Sequence, residues 1–265
     1  MDDLMQHYHI ALQLVAAAAA QFRAGLGAPP AVEKRPGDFA TECDENIEAF
    51  LRAELTKATH IPVFGEEAGG DWGTPMWVID PIDGTANFAA GNPMCAILLS
   101  LIVDAQPVLG ITSLPMLGQC FSAYGDSPLM LNNAPLPPRG HNEIAHVGFS
   151  SISSPADSLF PTWLRQHLLS DLADSYLRPR ITGSVGIDLA YTAAGIFDGA
   201  FSFSPNIWDN AAGITLLRAS GKLVTDHLGN PWTMQSPAVI AGNPMAHEFL
   251  LEIMQEQLKG EQPCQ

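Results

Sequence analysis

The stretch "WVIDPIDGTANF", Trp77–Phe88, carries an apolar run into two carboxylates three positions apart, Asp80 and Asp83, with Pro81 between them. "MWVID" reads as a buried strand that ends at Asp80, and Asp-Pro alone would serve as the turn that follows. A second acid so close repels the first unless something positive lies between them. The Pro81–Ile82 step is expected to turn the chain, so that Asp83 leaves the pleat of its neighbour and the Ile82 carbonyl is aimed inward. Gly84 then lets backbone N–H groups approach an oxyanion, and a helix starting at that point adds its positive end.

Outward from this stretch, further acids stand at the ends of apolar elements. "IPVFGEEAGG" predicts a short strand over Ile61–Phe64 that runs into Glu66 and Glu67. Asp209 follows Trp208 at the start of a predicted helix, "WDNAAGITLLRAS". Thr41 reads as an N-cap, with Asp44 completing a capping box before a helix that buries Ile47, Phe50, Leu51 and Leu55. Each acid alone has a plain explanation: Asp209 and Asp44 as caps, Asp83-Gly84 as a turn, Glu66 as a solvated charge. Taken together, acids gathered at element ends match the way hard cations are held, since Mg²⁺ takes oxygen ligands and keeps several waters. A metal site joined to an anion cradle suggests phosphoryl transfer to water.

The rest of the chain bounds the alternatives. Its 265 residues suffice for one large domain or two modest ones, and 47% are hydrophobic, so a sizeable core is expected. The formal net charge of −16 argues against a nucleic-acid partner and against an anionic membrane surface. No run approaches the roughly 18 apolar residues of a membrane span. Cys43, Cys95, Cys120 and Cys264 show no CxxC spacing, which fits thiols in a reducing cytoplasm better than a zinc site. The eight histidines are scattered, and none sits beside the acids.

A long helix is predicted over Leu4–Leu26, then "AILLSLIVD" and "QPVLGITSLP" as a buried hairpin and "GQCFSAYGDSPLMLNNAPL" as another strand pair. The Pro-rich stretch near Pro137–Asn142 is the expected boundary between subdomains spanning 1–138 and 139–265. Beyond it come a strand in "IAHVGFSS" and a helix over Asp157–Ser175 with Leu159, Trp163, Leu164, Leu168 and Leu172 inward. A strand, the Gly183-Ser184 turn and a helix follow in "PRITGSVGIDLAYTAAG". Strands in "GAFSFS", "KLVT" and "AVIAG" and a helix over Pro244–Leu258 complete the reading. The first half mixes helices with antiparallel hairpins, the second alternates α and β, and a cleft shared by the two is where a site is expected.

Five motifs, in order, resemble those of the inositol monophosphatase family: Thr41–Asp44, Gly65-Glu66-Glu67, Trp77–Phe88, Gly183-Ser184, and Trp208-Asp209 with Ala211, Ala212 and Gly213. The resemblance spans roughly residues 5 to 258. It implies an α/β (mixed α+β) fold, a layered αβαβα sandwich of two subdomains, and a homodimer. It also implies two or three Mg²⁺ ions. Glu66, Asp80 and the Ile82 carbonyl resemble the ligands of the first, and Asp80, Asp83 and Asp209 those of the second. Glu66 with water would hold a looser third. Asp44 and Thr85 resemble the pair that positions and deprotonates the attacking water, with Gly84 and Thr85 N–H groups on the phosphate. Asp83, Gly183, Ser184 and Asp209 line the alcohol side. Lys34 and Asp38 fall where family members often place a lysine near a mobile metal loop.

The implied reaction is direct in-line attack of water on a small polyol phosphate, myo-inositol monophosphate in the first place. Histidinol phosphate, fructose 1,6-bisphosphate and 3′-phosphoadenosine nucleotides stand as alternatives, as does an idle relative with a binding role or a structural subunit with a basic partner. Two departures stand out. Arg218–Lys222 replaces a family E-A-G-G and is read as a helix-to-strand turn. Ser202 stands where many inositol-specific members carry a glutamate, and its hydroxyl would bind a substrate hydroxyl more weakly.

Overall fold

A computed structural model describes residues 2–35, 38–140, 143–154 and 158–259. The first helix, α1 (Asp2–Gly25), presents Tyr8, Ala11, Val15, Ala18 and Phe22 on one buried stripe, the three-four spacing of an amphipathic helix. A hairpin follows, β1 (Val32–Arg35) and β2 (Asp38–Ala40), in a segment whose sequence reads only as polar. The side chains of Lys34 and Asp38 lie outside the described residues.

Next comes α2 (Glu42–Thr59), whose capping box between Thr41 and Asp44 is formed as expected. β3 (Val63–Gly65) starts two residues later than the expected Ile61–Phe64 and ends one later, and β4 (Met76–Asp83) pairs with it in parallel. A single turn of helix, α3 (Thr85–Ala89), leads to β5 (Ala96–Val103), β6 (Gln106–Leu114) and β7 (Gln119–Tyr124). Two short strands, β8 (Met130–Leu131) and β9 (Ala134–Pro135), close a seven-stranded sheet in simple sequential order.

The second sheet is built from β10 (His146–Phe149), then α4 (Thr162–Ala173), β11 (Arg178–Arg180), α5 (Val185–Ala193) and β12 (Gly199–Ser202). After α6 (Ile207–Ala219) come β13 (Leu223–Thr225), β14 (Val239–Gly242) and α7 (Pro244–Lys259). Its strand order is β11-β10-β12-β14-β13, parallel across the first three and antiparallel beyond.

Three apolar clusters define the layers. α1 and α2 pack on the outer face of the large sheet, against Trp77, Ile79, Ile97 and Leu99. α5 and α6 fill the space between the sheets, with Leu98 and Phe121 on one side and Ala200 and Val239 on the other. α4 and α7 cover the far face of the small sheet through Leu164, Leu168, Leu250 and Met254. The order is α, β, α, β, α. α6 is buried almost all round, from Asn210 to Leu217, because a helix between two sheets has no solvent face.

Three expectations are corrected. Leu159 and Trp163 are 60% and 40% exposed rather than inward, while Leu164, Leu168 and Leu172 are buried. α4 begins at Thr162, and the expected start at Asp157 lies outside the described residues. β4 does not end at Asp80. It runs on to Asp83, and between the pairs Asp80–Leu98 and Asp83–Ala96 it holds one residue more than β5. Pro81 cannot donate to the ladder, and a bulge is where a strand tolerates it.

Candidate metal centre

The bulge in β4 decides the geometry. An ordinary strand would point Asp80 and Asp83 to opposite faces, three residues being an odd step. The extra residue returns Asp83 to the side of Asp80. α6 brings in the third acid: its first helical residue is Ile207, capped by Asn206, so Asp209 sits in the first turn and is not the N-cap. One carboxylate oxygen each from Asp80, Asp83 and Asp209 lie within 4.8 Å of one another.

Asp80 is 1% exposed and shares hydrogen bonds with the carboxyls of both Glu66 and Asp209. The Ile82 N–H donates to its Oδ1 at 3.0 Å. Asp83 accepts from Val185 N at 3.2 Å, Gly186 N at 2.7 Å and the Ser184 hydroxyl. It thereby satisfies N–H groups that the start of α5 leaves without helical partners. Ser184 is itself the N-cap of α5 and accepts from Ile187 N, so its side chain is engaged inside the protein.

Burial and mutual repulsion push these acids upward. Asp80 lies well above the usual carboxylate range, first through burial and then through the charges of Glu66, Asp83 and Asp209. Asp83 rises to about 6 through burial, against the pull of its bonds to Ser184, Gly186 and Val185. Asp209 rises to about 7 through burial and the charge of Asp83, opposed by Ser204 and Asn206. Among the described residues, no Lys or Arg pairs with any of the three. Clustered carboxylates without a protein cation have the donor chemistry of a hard divalent ion, so the residues present fit Mg²⁺.

The remaining expected site residues fall around this cluster. Asp44 is fully buried and accepts from Thr41 N at 2.8 Å and Thr41 Oγ1 at 2.5 Å. Its Oδ1 is 3.4 Å from the Thr85 hydroxyl, which lies closer, at 2.9 Å, to the Ile82 carbonyl. Asp44 therefore caps its helix and faces the site at once. Gly84 has φ +86°, and a Cβ there would stand 3.0 Å from the Gly183 carbonyl; the two glycines form adjoining walls of one cradle. Asn87 ties those walls together, its Nδ2 donating to Met94 O at 2.6 Å and Thr182 O at 2.8 Å.

Ser202 does not stand in for the family glutamate. It is 1% exposed and donates to Asn210 Oδ1 at 2.9 Å, turned into the protein. Sequence reasoning also missed Glu48 and Arg52. The buried Glu48 carboxylate accepts from Glu67 N at 2.7 Å and Ala68 N at 3.0 Å, and Arg52 adds bonds to Glu48, Val63 O and Gly69 O. These contacts hold the turn that presents Glu66. The i,i+4 Glu–Arg spacing was visible; its target was not.

The profile described as "Inositol monophosphatase family" matches residues 3–259. The chain belongs to the inositol monophosphatase family. It is 46% identical over 255 residues to the inositol-1-monophosphatase ImpA of Mycolicibacterium smegmatis, covering 95% of this chain and 92% of that one. Among solved structures of this family's fold, the extragenic suppressor protein SuhB of Bartonella henselae superposes with a TM-score of 0.85 at 26% identity, covering 95% of this chain and 99% of that one. The Thermotoga maritima IMPase gives 0.84 at 25% identity, with coverage of 98% and 99%. Members of the family are metal-dependent phosphatases, and the acid cluster of this chain fits that requirement.

Proposed function

We propose that the protein hydrolyses myo-inositol monophosphate to inositol and phosphate with Mg²⁺, two or three ions per site, as a homodimer in the cytoplasm. The convergence of Asp80, Asp83 and Asp209 within 4.8 Å carries this reading, and the inositol-1-monophosphatase name of a 46% identical relative supports the substrate. No described helix is long and apolar enough to cross a membrane. Bisphosphate substrates are not favoured, because a second phosphate wants cations and the chain has only twelve Lys and Arg.

Glu66, Asp80, Asp83, Asp209 and the Ile82 carbonyl would hold the ions. When bound, these supply Lewis acidity toward the phosphoryl oxygens and lower the pKa of water. The Thr85 hydroxyl now donates to Ile82 O. Rotated to Asp44 Oδ1, 3.4 Å away, the Thr85 hydroxyl would accept a hydrogen bond from the attacking water; as the water's proton moves to the Thr85 oxygen, the Thr85 proton passes to Asp44. The N–H groups of Gly84 and Thr85 face the phosphate, and Asp83, Gly183 and Asp209 border the leaving alcohol. Ser184 contributes by fixing Asp83. The chain divides, on this reading, into subdomains 1–138 and 139–265; the large sheet draws its strands from the first and the small sheet from the second.

The test is phosphate release from inositol 1-phosphate, histidinol phosphate, fructose 1,6-bisphosphate and adenosine 3′,5′-bisphosphate, with and without Mg²⁺. Mg²⁺-dependent turnover greatest on inositol 1-phosphate is expected. Inactivity on all four would leave a family relative with a binding role.

A further inference from the structure

Asp209 is held by a network that no family motif describes. The Ser204 hydroxyl and the Asn206 side-chain amide, at 3.3 Å, both donate to Asp209 Oδ2. The direction of the Ser204 bond is forced. A carboxylate oxygen only accepts, and the Ser204 oxygen already receives the Asn206 N–H at 3.1 Å. Behind this pair lies Asn210, 1% exposed, which staples the whole segment to α6. Its Nδ2 donates to Ser204 O at 2.9 Å and to Asn206 O at 2.8 Å, and its Oδ1 accepts from Ser202. Ser202 in turn accepts from Ser204 N at 3.4 Å. Five residues from the end of β12 to the first turn of α6 are thus locked by side-chain bonds, and the lock ends on one oxygen of one acid.

We propose that Ser204 is a positioning residue, fixed by Asn210 and Ser202, that sets the rotation of the Asp209 carboxylate before a cation arrives. The proposal rests on the reading of Asp209 as a cation ligand. Two donors on Oδ2 stop the carboxylate from turning about its last bond, so its other oxygen keeps one direction. Partners that orient a ligating carboxylate in this way typically govern metal affinity 10–100-fold. The arrangement further explains why Ser202 can be buried. Its task is to hold Asn210.

The experiment measures Mn²⁺ binding to metal-free protein by electron paramagnetic resonance, counting free ion, for wild type, Ser204→Ala, Ser204→Thr and Asp209→Asn. Ser204→Ala is expected to weaken the tightest Mn²⁺ binding about 10-fold or more, Ser204→Thr to stay within about 3-fold, and the melting temperature of the metal-free Ser204→Ala protein to match wild type. If Asp209→Asn weakens binding and Ser204→Ala does not, the positioning role is overturned. If Asp209→Asn leaves binding unchanged, the reading of Asp209 falls instead. Loss of binding in Ser204→Thr equal to that in Ser204→Ala also overturns the proposal, because a hydroxyl in place would then not suffice.

Discussion

Binding of Mg²⁺ to the metal-free protein is expected to expel protons, and the number depends on pH in a way the buried acids fix. Asp83 titrates near 6 and Asp209 near 7, with Asp80 higher than the usual carboxylate range. At pH 6.5 a group near 6 is protonated about a quarter of the time and one near 7 about three quarters, together about one proton. Asp80 adds up to one more. Cation binding needs all three ionised, so at least about one proton leaves per site at pH 6.5. At pH 8.5 Asp83 and Asp209 are already ionised, and the release falls below its value at pH 6.5. Isothermal titration of Mg²⁺ in pairs of buffers with different ionisation enthalpies gives the count directly. The same acids set the sign of stability. Their folded pKa values are raised, so the folded state holds extra protons between about pH 4 and 7. The contribution of these acids to the stability of the metal-free protein is therefore greatest below that window, falls as pH rises through it, and is restored by Mg²⁺. Zero proton release at both pH values would refute the placement of these acids in one shared, desolvated cluster.

Asp80→Asn is expected to lower kcat about 100- to 1,000-fold, the range typical for loss of one charge-stabilising group, while the metal-free protein at pH 8 gains about 1 kcal/mol in urea denaturation from the relief of buried repulsion. Glu48→Ala leaves two N–H groups of the Glu66 turn without their acceptor and removes one of three acceptors of Arg52. It should cost about 3 kcal/mol in the same assay and weaken Mg²⁺ binding as well. Gly183→Ala puts a Cβ at φ +78° and 2.8 Å from Asn87 Nδ2. A loss of about 1–2 kcal/mol, with a raised KM from the displaced cradle wall, is expected from denaturation and initial rates.

Much of the site was legible because its motifs are local. The apolar run into Asp80, the capping box of Thr41 and Asp44, and the glycine after Asp83 each state their chemistry within a few residues, and the layer order followed from the family those motifs resemble. What the sequence concealed depends on register and on distance. The bulge at Pro81–Ile82 was read as a kink that ends the strand, because a proline shows a lost donor but not where the next pairing resumes. The role of Glu48 is invisible in the sequence, since its targets lie 19 and 20 residues on, outside its own helix. The offset of Ser202 to Asp209 shows only that it replaces a glutamate found in many relatives; a strand end can turn either way, and Asn210 decides the direction. Trp163 fitted a helical stripe but sits at its margin, where a large ring remains exposed.

Anomalous diffraction from crystals soaked in Mn²⁺ bears most directly on whether these acids gather around shared ions. Peaks bonded to Asp80 and shared with Asp83, Asp209 or Glu66 are predicted, with Ile82 O in the coordination shell. A fully soaked crystal with Mn²⁺ elsewhere and none between these carboxylates would contradict the account.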